Sequence, residues 1–147
     1  MRKIGFSILV AFMIALVAGI PRTARATITC SDATLRGSYG VHATGYVLGG
    51  SVWTPLALVG TFSYDGAGGV TANVIQRVGG VNTNVNVTGT YSVNPDCTVS
   101  DTLGGGTHFY SIVDRGRGFF ILNDTIGAPV VVSGEGRRVF GGEADRN

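Results

Sequence analysis

Beyond Lys3 the chain has no lysine, and its 147 residues hold only two cysteines, two histidines, four prolines and one tryptophan. Each scarcity removes a class of function. Four of the eleven basic residues (Arg2, Lys3, Arg22 and Arg25) precede Thr27, which leaves seven against nine acidic residues and a net of −2. No basic patch remains to hold nucleic acid. The two cysteines and two histidines show no ligand spacing, so no metal site is expected. No nucleophile elbow, zinc motif or paired-carboxylate signature occurs. The Asp65-Gly-Ala-Gly-Gly69 stretch is glycine-rich but lacks the Lys-Ser/Thr ending and following helix of a phosphate loop. It also lacks the ligand spacing of a calcium loop. No cofactor is implied.

Glycine is abundant, at 24 residues, without the every-third-residue period of collagen. Aromatic and β-branched residues lie between the glycines, which argues against low-complexity disorder. Two pieces repeat one plan: Gly60-Thr-Phe-Ser-Tyr-Asp-Gly-Ala-Gly-Gly-Val70 and Gly89-Thr-Tyr-Ser-Val-Asn-Pro-Asp-Cys-Thr-Val99. Each reads Gly-Thr-aromatic-Ser-apolar-Asx, then a tight turn, then an outgoing strand. One hairpin is used twice.

Residues 1–26 read as a secretory signal peptide. Arg2 and Lys3 give the positive start, Ile4 to Ile20 the apolar run, and Ala24-Arg25-Ala26 the small-x-small cleavage site. Cleavage is expected near Ala26-Thr27, with the product secreted or periplasmic; an uncleaved anchor is the alternative. Cys30 and Cys97 both fall in the exported part, where an oxidising compartment favours a single disulfide between them. Residues 27–141 are expected to form one domain and 142–147 a flexible tail.

Alternation predicts about eight short strands. After an extended lead-in from Thr27 to Leu35, they cover Ser38 to Leu48, Ala57 to Tyr64, Val70 to Val78, Asn84 to Val93, Thr98 to Leu103, His108 to Val113 and Phe119 to Leu122. The eighth starts at Val130 to Ser133 and resumes through Arg137 to Phe140 after a flexible Gly134-Glu-Gly136. On the first strand Tyr39, Val41, Ala43, Gly45 and Val47 share one face, and His42, Thr44 and Tyr46 the other. Gly49 to Pro55 is expected to be a loop carrying Trp53. The all-β pattern suggests an eight-stranded antiparallel up-and-down barrel, since closure removes exposed edges; a two-sheet β-sandwich is the alternative. An outer-membrane barrel is disfavoured, because its strands should be roughly 9–11 residues long with an apolar outer band.

At Leu35-Arg-Gly-Ser-Tyr-Gly40, and in the two repeated pieces, the chain resembles a group of small secreted bacterial proteins related to the allene oxide cyclase barrel-like proteins. The resemblance spans roughly residues 34–135. It implies an eight-stranded calycin-like barrel. The motifs are turn and strand residues, so the resemblance implies fold and does not transfer catalytic residues.

Three functions fit. A binding barrel would take a small lipophilic or aromatic molecule in its lumen. Candidate contacts are Tyr46, Trp53, Phe62, Tyr91 and Phe109, with Tyr110, Phe119 and Phe120; the bland reading of each is plain core. An isomerase or cyclase would hold one substrate conformation, with His42, His108 and Tyr110 as acid–base candidates and Arg77 or Asp114 assisting. The bland reading of each histidine is a surface or hydrogen-bonded side chain. A structural or interaction role would use the Thr- and Asn-rich strands toward the cell envelope or a second copy. Stable membrane insertion after cleavage is not expected.

Overall fold

A computed structural model describes residues 29–123 and 129–139. The expected signal peptide (1–26), the tail (142–147) and Phe140 lie outside the described residues. The strands are β1 (Arg36–Gly49), β2 (Val52–Asp65), β3 (Gly69–Val78), β4 (Val81–Val93), β5 (Thr98–Leu103), β6 (Gly106–Val113), β7 (Gly118–Asn123) and β8 (Val130–Arg138). Each pairs antiparallel with the next, and β8 returns to β1, from Val47 opposite Val130 to Tyr39 opposite Arg138. The sheet is therefore a closed eight-stranded barrel of calycin-like type, not a sandwich.

Strand alternation decides what faces inward. Register carries the Tyr39, Val41 and Ala43 face of β1 onto Phe62, Gly60 and Leu58 of β2, and then onto Ala72, Val74 and Gln76 of β3. The outer face of β3 and β4 carries Asn73, Arg77, Asn82, Asn84, Asn86, Thr88 and Thr90, all exposed. Elsewhere the outer wall is mixed, with Tyr46, Val59, Phe109, Leu122 and Val131 also exposed. Among the described residues no helix is long and apolar enough to cross a membrane.

The glycines of the repeated hairpin do the same job twice. A Cβ on Gly60 would overlap the Asn73 carbonyl oxygen, and one on Gly89 the Thr102 carbonyl oxygen. Both let the bent strand press against its neighbour, as a narrow barrel requires. Two residues on, Phe62 and Tyr91 turn inward. The hairpin ends are fixed by side chains. Asp65 Oδ1 accepts from the Ala67 and Gly69 amides at 2.7 and 2.9 Å, and Asp96 Oδ1 from the Thr98 amide at 3.0 Å.

Strand lengths, one loop, β8 and the lead-in differ from expectation. β1 to β4 run 14, 14, 10 and 13 residues, longer than alternation alone indicated. The expected loop from Gly49 to Pro55 is a two-residue turn, Gly50-Ser51, so Trp53 lies on β2. Proline is tolerated there because β3 pairing stops at Leu56 opposite Val78. The Pro55 carbonyl accepts the Gly79 amide at 3.2 Å, so its missing N–H would also have pointed past the end of β3. β8 continues through Gly134-Glu-Gly136, because a Cβ at Gly136 would overlap the Phe119 ring. The lead-in is not extended throughout: Asp32–Thr34 forms a 3-10 turn.

That turn seals one end of the barrel. Cys30 is disulfide-bonded to Cys97 across 67 residues of sequence. Asp32 Oδ1 accepts the Val93 amide at 2.7 Å, and Leu35 is fully buried. The Tyr91 hydroxyl lies 2.9 Å from the carbonyl oxygens of both Asp32 and Leu35 and shares its hydrogen between them.

Candidate functional site

Inward side chains differ between the two halves of the barrel. Toward the sealed end they are aromatic. Tyr64 meets Tyr39, Tyr91 and Phe119 edge-on, with ring centroids 5.5, 5.0 and 5.9 Å away, and Tyr110 meets Phe119 at 5.1 Å. These rings reach across the barrel and fill it. Toward the other end the lining is mainly aliphatic, with Val41, Ala43, Leu58, Ala72, Val74 and Val132 among it, and these side chains leave the centre unfilled. A cavity of about 550 Å³ results, with the Gly104-Gly105 turn and Pro129 among its lining residues. That volume suits a small organic molecule.

Two polar side chains that line this cavity stand out, Gln76 and His108. His108 is held from behind. It faces Asp101 across the β5–β6 ladder, with Nδ1 2.7 Å from Asp101 Oδ1. Asp101 is a buried carboxylate on an otherwise apolar inward face, between Val99 and Leu103. Its other oxygen accepts the Tyr110 hydroxyl. The carboxylate thus has a donor on each oxygen, which is what burying a charge demands. With Nδ1–H given to Asp101, the neutral ring keeps Nε2 as an acceptor. That atom sits beside Gly106, where an added Cβ would come within 3.4 Å of it. Gly106 also lines the cavity.

Burial pushes the phenols of the floor up from their ordinary value. Tyr110 is raised well above it, first by burial and then by neighbouring Tyr64 and Asp101. Tyr64 is raised for the same leading reason, with the Asp101 charge next. Its hydroxyl is buried without a hydrogen bond of normal geometry, although Tyr110 stands close by. Tyr39 is raised by burial and donates to the Gly116 carbonyl at 2.5 Å.

The residues singled out from sequence are dispersed. Phe62 lines the cavity, and Tyr91 is part of the floor beneath it. His108 and Tyr110 are brought together through Asp101. Tyr46, Trp53, Phe109 and Phe120 do not face the lumen: they stand on the outer wall, 53, 48, 42 and 52 % exposed. Their position in the alternation puts them there, since Tyr46 shares its face with exposed His42. Arg77 is exposed on β3, and Asp114 pairs with Arg137 at 3.1 Å in the β6–β7 turn. Asp101 was not among the sequence candidates. Its signal is a lone charge at an inward position of an alternating strand.

Among the described residues no group of three or more His, Cys, Asp or Glu side chains could hold a metal ion. No family model, no curated protein and no solved structure matches this chain.

Proposed function

We propose that this protein binds a small lipophilic molecule inside its barrel. The observation that carries the reading is the cavity of about 550 Å³, lined mainly by apolar side chains and floored by the packed rings of the sealed end. A protein that needed only stability would fill that space, because voids cost packing energy. Displacement of an environment-sensitive naphthalene dye tests it. Val74→Trp, which places an indole in the cavity, should abolish dye uptake while the barrel stays folded. Unchanged uptake by that variant would overturn the reading.

An exported setting accompanies this proposal. The Cys30–Cys97 disulfide supports it, since such bonds persist in oxidising compartments. The residues 1–26 carry the rest of that argument, and intact-mass measurement of the product outside the cytoplasm tests it. Membership of the secreted group related to allene oxide cyclases rests on the turn and strand motifs; the barrel supports its fold component.

A second reading, an isomerase or cyclase, is favoured by one observation. His108 faces the cavity with its ring oriented by a buried carboxylate, the arrangement of a positioned general base. Turnover of a captured ligand that survives His108→Gln unchanged would remove this reading.

A further inference from the structure

We infer that the cavity selects a neutral apolar molecule bearing one hydroxyl donor, of phenol type, which donates to His108 Nε2. This rests on the binding reading above and adds the polar group that the ligand must carry. Among the described residues the cavity wall is apolar apart from Gln76, His108 and the backbone of its glycine turn. Asp101 fixes the ring from behind at 2.7 Å, and in a neutral ring that gives Nδ1–H to it the nitrogen near Gly106 is an acceptor. An acceptor facing an apolar space rewards a ligand that brings a donor, and leaves a pure hydrocarbon with a polar atom it cannot satisfy.

The same geometry rejects an anion. A ligand carboxylate at that nitrogen would stand on the far side of one imidazole from the buried Asp101 carboxylate. One ring cannot neutralise both. No lysine or arginine is among the described residues lining the cavity. The second negative charge would stay uncompensated in an apolar pocket. A hydroxyl brings hydrogen-bonding capacity without charge, and the apolar body fills the Val41, Val74 and Val132 walls.

Three probes of one shape separate these cases: para-heptylphenol, heptylbenzene and para-heptylbenzoic acid, titrated calorimetrically into the full protein at mildly alkaline pH. The phenol then remains neutral and the benzoic acid is ionised. The phenol should bind roughly 3- to 10-fold tighter than the hydrocarbon, the worth of one net hydrogen bond, and the benzoate should bind weakest. Asp101→Asn combined with His108→Leu, which removes the acceptor without stranding a charge, should erase the phenol's advantage and keep hydrocarbon binding. Should that variant fail to fold, NMR of the imidazole nitrogens in the unaltered protein decides the matter. Phenol should move the His108 signal and leave exposed His42 in place, and heptylbenzene should not shift the His108 nitrogens as a donor does. Equal affinities, a preference for the benzoate, or a His108 signal that ignores phenol would overturn the inference while leaving lumenal binding intact. If none of the three binds, the binding reading falls, and this one with it.

Discussion

Tyr64 and Tyr110 bury phenolic oxygens in the same aromatic floor but with different partners. Tyr110 donates to Asp101, whereas Tyr64 has no hydrogen bond of normal geometry. Tyr64→Phe should therefore change unfolding free energy in urea by less than about 1 kcal/mol, and Tyr110→Phe should cost about 1.5–3 kcal/mol by depriving a buried carboxylate of a donor. Both phenols are raised in the folded state, chiefly by burial. An acid raised on folding contributes stability below its unfolded value, near 10, and that contribution is lost as pH rises further. Alkaline titration followed at the tyrosinate absorbance should show these two ionising only as the barrel unfolds. His108 and Tyr110 could be picked from sequence by residue type. Asp101 could not be joined to them, because β5–β6 pairing sets it opposite His108, and pairing register is not written in either strand alone.

Among the elements, β8 shows why glycine can be misread. Gly134-Glu-Gly136 looks like an interruption, yet it is continuous strand whose missing side chains make room for Ala43 and the Phe119 ring. Gly136→Ala should destabilise by about 1–3 kcal/mol through overpacking, measured by thermal unfolding. A flexible break would have shown almost no effect. The turns respond to acid. Asp65 is held below its ordinary value by the Ala67 and then the Gly69 amide, and Asp96 by the Thr98 side chain and then its amide. A lowered carboxylate contributes stability above its unfolded value, near 4, and loses it as pH falls through the folded value. Asp65→Asn should accordingly flatten the acid limb of the stability profile. These turns were readable because an Asx side chain bonding the backbone two residues on is a local device. The β1–β2 hairpin was not: Pro55 signals a break unless the end of β3 is known.

For the whole molecule, eight alternating segments with short links made closure legible, since every edge strand in such a chain needs a partner. The cavity was not legible. Its existence depends on how far side chains from opposite walls reach, a property of the assembled cross-section. The disulfide acts at this scale too, tying the sealing segment to the β4–β5 turn. Cys30→Ser with Cys97→Ser should cost about 2–4 kcal/mol in urea unfolding. The segment from Cys30 to Leu35 has one further consequence. It stoppers the vessel permanently at one end, by covalent attachment. On the binding reading proposed above, cargo enters and leaves by the opposite end, and the shape stores its contents and hands them over the way they came.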